Sequence, residues 1–185
     1  MSATRKEIGR QRILDAAREV FAEHGLEGAS LRAIAARAGY TPAALYFHFE
    51  SREAIYAALL RASLADLAEA IRAAATGPQA FRAGTLALFD FYAARPQELA
   101  LGLYLGPGGP APRGLGQGID PALNALLLAA LAPIRAAATG PEPDTRVAEI
   151  FAHAVGLLVL AETRRLRLFG LPARGLMERM LEGMA

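Results

Sequence analysis

The sequence predicts an all-α protein, and three observations predict it. The chain is 54 % apolar but only 7 % aromatic, with no Trp, so Ala and Leu supply most of the core volume; an Ala/Leu/Arg/Glu-rich composition favours helix. Apolar residues recur at helical spacing between cap residues, Gly and Pro. No stretch of β-branched residues alternates with a period of two. The apolar content excludes a disordered chain.

Taken in order, Ile13, Ala17, Val20 and Phe21 give a first helix from Arg5 to about His24, which Gly25 stops. Ser30 is the expected cap of a short second helix carrying Leu31, Ile34, Ala35 and Ala38, ended by Gly39. Thr41 followed by Pro42 opens a third, with Leu45 and Phe49 turned inward. Ser51 caps a fourth with Glu53 in its first turn, and Ile55, Leu59, Leu60, Leu64, Leu67 and Ile71 carry it to about Ala75. Thr76-Gly77-Pro78 breaks the chain. A fifth helix covers about Gln79–Ala94, and Pro96 forces a boundary at Arg95 before a sixth from Gln97 to about Leu105. The Pro/Gly-dense segment Gly106–Gly118 reads as a loop. Asp120-Pro121 opens a helix to about Ala138, with a kink or break expected at Pro133. The longest late helix is expected over about Asp144–Phe169, ended by Gly170, and Pro172 opens a last one to about Glu182.

Charge and composition narrow the function classes. The net charge is +2. Its basic excess is densest at the N-terminus, where Arg5, Lys6, Arg10 and Arg12 oppose only Glu7, a modest footprint for nucleic acid. There is no Cys, and His24, His48 and His153 lie far apart, so neither disulfides nor a metal-ligand spacing is expected, and no cofactor is implied. The charged start carries no apolar run of a secretory leader, and the run around Ala152–Ala161 is too short to span a bilayer, so a cytoplasmic protein with no membrane partner is the expectation. An enzyme finds no support: no nucleophile–base pair or carboxylate dyad stands out, and the Gly106–Gly118 loop follows no strand and fits no phosphate-cradling motif.

Ser30–Phe49 has the length and punctuation of a helix-turn-helix, whose last helix enters a major groove. Spacing alone leaves DNA binding and plain packing both open. The residues say more. The run RILDAAREVFAEHG followed by SLRAIAARAGYTPAALYFHFESREAIYAALL resembles the N-terminal domain of the TetR family of repressors over about residues 10–60. The most specific part is Ala38-Gly39-x-Thr41-x-x-x-Leu45-Tyr46-Phe47-His48-Phe49-x-Ser51-Arg52-Glu53. The resemblance implies a DNA-binding domain over about residues 1–50 and a helical effector-binding and dimerisation domain over 51–185. It implies a ligand-responsive transcriptional regulator, a repressor in the family's usual sense, bound as a homodimer to palindromic double-stranded DNA. A small molecule entering the larger domain tilts helix four and parts the two reading heads. Within the family, the alternative is a DNA-binding protein with no small-molecule effector or with a non-transcriptional role.

By the same resemblance Tyr46, His48 and Arg52 lie against the DNA backbone, Ser30 and Arg32 meet opposite phosphates, and Lys6 and Arg10 help from the N-terminal arm. The groove-facing positions read Tyr40, Thr41, Pro42, Ala43 and Ala44. None forms a bidentate bond to guanine or adenine, so specificity is expected to lean on thymine methyls and DNA shape. Phe47 stands where the family often has Tyr or Trp. The bland readings are that Tyr40 packs against the first helix, that Tyr46 and His48 are ordinary surface residues, and that Leu45 and Phe49 are core.

In the C-terminal two thirds the resemblance is thin. Phe89, Asp90, Tyr92, Leu103, Tyr104, Asn124 and His153 are candidates for lining a pocket for a small apolar or amphipathic effector, with core packing as the simpler reading. Asp90, in an otherwise apolar stretch, either faces solvent or meets a cation. Ala152, Gly156 and the Leu157–Leu160 run give an apolar, small-residue face for a dimer bundle, rimmed by Glu162, Arg164, Arg165 and Arg167.

Overall fold

A computed structural model describes residues 5–106, 109–110, 115 and 119–184. Among them nine α-helices form, and the all-α class holds. The helices are α1 (Arg5–Gly28), α2 (Leu31–Ala38), α3 (Pro42–Tyr46), α4 (Arg52–Ala74), α5 (Ala80–Ala93), α6 (Pro96–Gly102), α7 (Asp120–Ala137), α8 (Pro143–Glu162) and α9 (Ala173–Glu182). Two-residue strands β1 (Leu105–Gly106) and β2 (Gly109–Pro110) pair antiparallel where the segment read as loop begins. The remainder of that loop, apart from Leu115, lies outside the described residues.

The local signals act as their chemistry requires. Gly25 adopts φ 68°, ψ −179°, which breaks α1 before its last turn; that region of backbone space is open essentially to glycine alone. The Ser30, Thr41 and Ser51 hydroxyls each accept a hydrogen bond from the amide three residues on, at 3.1, 3.2 and 3.0 Å. Gly39 closes α2 in the left-handed conformation, φ 74°.

Four expectations are corrected. Helix three ends at Tyr46, and Phe49 is buried beyond it, its amide bonded to the Leu45 carbonyl. Helix six ends at Gly102, because Leu105 is already paired in β1. Helix seven runs through Pro133 unbroken. The carbonyl that Pro133 leaves without an amide belongs to Ala129, an exposed residue, so water can meet it. The long late helix stops at Glu162: the Thr163 hydroxyl donates to the Val159 carbonyl at 2.8 Å, Arg164 turns left-handed (φ 60°), and a 3₁₀ turn over Arg165–Phe169 follows.

The chain divides into two compact units that do not follow sequence order: Met1–Ser63 with Gln97–Asn124, and Leu64–Pro96 with Ala125–Ala185. In the first, Ile13, Ala17, Val20, Phe21, Ile34, Ala35, Leu45, Phe49, Ile55 and Tyr56 are buried. Tyr56 meets Phe21 edge-on at 4.8 Å and donates its hydroxyl to the Leu101 carbonyl at 2.7 Å, and Ser63 donates to Glu98 Oε2 at 2.6 Å. In the second unit, α5 packs against α8 and α9. Arg146 sits over the Phe81 ring at 5.8 Å, Arg174 pairs with Asp90 at 2.9 Å, and a Cβ on Gly84 would stand 3.0 Å from the Ala75 Cβ and 3.1 Å from Ile134.

Because only glycine fits the backbone at position 25, Gly25→Ala is expected to lower the unfolding free energy by about 1–3 kcal/mol. Urea denaturation followed by circular dichroism measures it.

Candidate nucleic-acid interface

The α2–turn–α3 hairpin is held by local bonds at both caps and by α1 behind it. Tyr40, in the turn, packs as its simpler reading expected: its hydroxyl oxygen would lie 2.9 Å from a Cβ on Gly9, and the His48 ring would lie 3.2 Å from it. Tyr40 and His48 meet edge-on at 6.0 Å, and the Arg12 guanidinium lies 5.8 Å from the Tyr40 ring centre. Arg10 donates to the His48 carbonyl at 3.2 Å and covers the Phe49 ring at 4.1 Å. Gly9 therefore sets how closely α1 approaches the segment that carries α3.

What this scaffold presents outward is a short face. Thr41, Pro42 and Ala43 are exposed and Ala44 is half-buried. Tyr46 and Phe47 are 57 % and 85 % exposed. Ser30 and Arg32 are exposed at the start of α2, and Lys6 is exposed near the start of α1. The Ser30 and Thr41 oxygens accept their capping amides, which leaves each O–H free to donate outward. Arg32 forms no ion pair among the described residues, whereas Arg37 clasps Glu19 at 2.8 Å and Glu23 at 2.9 Å. That bond holds the Glu23 carboxyl below its ordinary range.

Three of the expected contact residues do work inside the scaffold. Arg52 donates to the carbonyls of Glu27 at 2.9 Å and Ala29 at 3.0 Å, and its Nε donates to Glu53 at 2.7 Å, so it closes the end of α1 left open after Gly25. Arg10 and His48 form the α1 buttress just described, and His48 Nδ1 is buried with no partner. The sequence reading missed Gly9 and Arg12 as parts of this buttress. A glycine inside a helical pattern, costly against Ala without a reason, was the available signal.

The pocket candidates fall in different units. Leu103, Tyr104 and Asn124 belong to the first, and Phe89, Asp90, Tyr92 and His153 to the second. Tyr104 donates its hydroxyl to Asp120 Oδ1 at 2.7 Å; burial, followed by the Asp120 carboxylate, pushes its pKa up. Asn124 is exposed. Asp90 satisfies both branches of its expectation at once, exposed and paired with Arg174. Phe89 and Tyr92 are buried, and His153 is half-buried with Nε2 enclosed and unpartnered. Among the described residues no group of His, Asp or Glu is placed to hold a metal, and no helix is long and apolar enough to cross a membrane.

A capped short helix, a glycine turn and a second capped helix braced by a longer first one define a helix-turn-helix protein. Residues 13–59 match the family model of bacterial regulatory proteins, tetR family, so over this segment the chain is similar to the TetR family. Over 71 residues it is 39 % identical to the HTH-type transcriptional repressor AcnR of Corynebacterium diphtheriae, a match covering 38 % of this chain and 37 % of that one. The matched segment thus spans about a third of that relative. The fold is similar over nearly the whole chain to SCO4942 of Streptomyces coelicolor, with TM-score 0.70 and 27 % identity, covering 95 % of this chain and 97 % of that one. It is also similar to FadR of Bacillus subtilis in complex with stearoyl-CoA, with TM-score 0.73 and 18 % identity, covering 93 % and 95 %.

Because the Tyr40 hydroxyl is the atom nearest a side chain at position 9, Gly9→Ala is expected to destabilise the protein by about 1–3 kcal/mol. Adding Tyr40→Phe is expected to return part of that loss, read as thermal unfolding midpoints of both variants.

Proposed function

We propose that the chain is a transcriptional regulator that binds palindromic double-stranded DNA as a homodimer and leaves it in response to a small molecule. The observation that carries this reading is the exposed start of α3, Thr41–Ala43, flanked by Tyr46 and Phe47, on a hairpin fixed from behind by Gly9, Arg10 and Arg12. A face meant to read a groove needs such rigidity. In the proposed complex Lys6, Ser30, Arg32 and Tyr46 meet phosphates. Thr41, Pro42, Ala43 and Ala44 lie along base edges, with the Thr41 hydroxyl as the donor and the rest as apolar contacts to thymine methyls. Tyr40, Arg10, His48 and Arg52 position this face rather than grip the backbone. Residues 1–50 then carry DNA recognition, and 51–185 carry the effector and dimer functions. Repression is the sense of the AcnR name, the stearoyl-CoA held by FadR supports a ligand-responsive reading, and the cytoplasm is where such a regulator meets bacterial DNA.

The dimer reading is supported by an exposed stripe on α8, where Ala152, Gly156 and Leu160 follow one another at four-residue steps, and by Leu128 on α7, 69 % exposed. Leu157 and Leu158 are buried by their own chain, so the face is narrower than the Leu157–Leu160 run. Gly156→Arg is expected to convert the dimer to a monomer in light scattering and to abolish operator binding.

Mobility shifts on DNA selected from random palindromes test the reading as a whole. The expected result is salt-sensitive binding to a site whose core holds A·T pairs at the α3 contacts; no binding, or a guanine-rich core there, counts against it. Two arginines separate grip from scaffold. Arg32→Ala is expected to reduce the slope of log affinity against log salt by about 0.9, one phosphate contact. Arg52→Ala is expected to leave that slope unchanged and to lower folding stability by about 1–3 kcal/mol, because the Glu27 and Ala29 carbonyls lose a charged donor.

A further inference from the structure

Thr85, in the middle of α5, is 0 % exposed, and its Oγ1 has no hydrogen-bond partner. A buried hydroxyl in a helix has a local remedy, the carbonyl four residues back. Thr163 uses that remedy, donating to Val159 at 2.8 Å. Thr85 leaves the equivalent Phe81 carbonyl unused. In the same unit, on α8, His153 Nε2 is likewise buried and unpartnered. The two helices pack on each other, with Arg146 over Phe81 joining their first turns. Thr85 lies one turn beyond Phe81, and His153 two turns beyond Arg146. Unmet buried polar atoms are rare and ask for a partner. The residues buried with them on these helices are apolar: Leu88, Phe89, Ile150 and Leu157. Among the described residues the buried side chains with a hydroxyl are Tyr56 and Ser63 in the first unit and Thr85 and Tyr92 in the second, and no charged side chain is buried. No fully buried charge in this unit therefore balances a charged ligand.

We propose that the second unit binds an uncharged, mainly apolar small molecule through one oxygen, such as a ketone or alcohol, which Thr85 Oγ1 and His153 Nε2 hold. This rests on the ligand-responsive reading and gives it a ligand class. It differs from the long-chain thioester of FadR in having no phosphate to neutralise.

The test uses the full chain and a matched set of probes: 1-octanol, 2-octanone, octanoate and octane, with binding read by calorimetry and by thermal shift. The alcohol and ketone are expected to bind, each at least about tenfold tighter than octane and octanoate, the scale of one hydrogen bond to a buried group. Thr85→Val is expected to lose that advantage while its unliganded melting temperature stays level or rises, since the orphaned hydroxyl is gone; Thr85→Ser is expected to keep it. His153→Phe is expected to weaken the same two probes. The proposal is overturned if the oxygenated probes bind no better than octane, if octanoate binds best, or if the Val variant binds 1-octanol like the parent. A lower unliganded melting temperature in the Val variant also overturns it, because the hydroxyl was then held by a resident water. Operator release is scored separately: octanol bound through Thr85 without release of DNA leaves the site standing and sinks the ligand-responsive reading.

Discussion

Tyr56 is 1 % exposed and joins parts of the first unit that lie far apart in sequence. Its ring edge meets Phe21 of α1 at 4.8 Å, its face stacks on Tyr104 at 5.9 Å, and its hydroxyl donates to the Leu101 carbonyl of α6. Tyr104, left-handed at φ 53°, passes the connection to Asp120, whose carboxylate also accepts the Leu115 amide at 3.0 Å. A ring contact adds about 0.5–1.5 kcal/mol beyond its buried area, and a hydrogen bond about 1 kcal/mol. No single link is large, but the links converge on one side chain. That convergence accounts for residues 97–124 belonging with 1–63. Burial raises the Tyr56 pKa, so the phenol remains a donor across the whole physiological range.

On this frame the hairpin α2–α3 is rigid at its base and sparsely functionalised at its tip. The guanidiniums nearest the turn are committed: Arg10 to the His48 carbonyl and the Phe49 ring, Arg12 to the Tyr40 ring, Arg37 to two carboxylates, and Arg52 to two backbone carbonyls. Positive charge near the turn thus serves mainly to hold the hairpin in place, and Arg32 and Lys6 are left to face outward. On the proposed function such a face takes shape and methyl groups as its information, since side chains short of hydrogen-bonding reach cannot discriminate bases by paired bonds.

What was legible in the sequence was local. A hydroxyl three residues before an amide, a proline at the first helical position and a glycine at a positive φ act within one turn of chain, so Ser30, Thr41, Ser51, Gly25 and Gly39 could be read one at a time. What was not legible depends on partners distant in sequence. Arg52 matches a motif position, yet its bonds go to carbonyls 25 and 23 residues earlier. Asp90 finds Arg174 across 84 residues. The end of α8 was missed for a different reason. Thr163 and Arg164 are tolerable in helices, and only their combination, a back-bonded hydroxyl followed by a left-handed residue, stops this one.

The hydroxyls give one more measure of how the chain allocates function. Ser30, Thr41 and Ser51 cap helices, Ser63 bonds Glu98, and Thr163 bonds its own helix. In each case the donor or acceptor is met by a group that folding itself brings near, and the residue stabilises the place where it sits. Thr85 breaks the pattern while being the most deeply buried of them. Valine would fill the same volume at that position without an unmet oxygen, so the fold gains nothing from the hydroxyl. On the proposal made above, a hydroxyl met by no other side chain or carbonyl of the described chain has its use in a state where something else is bound.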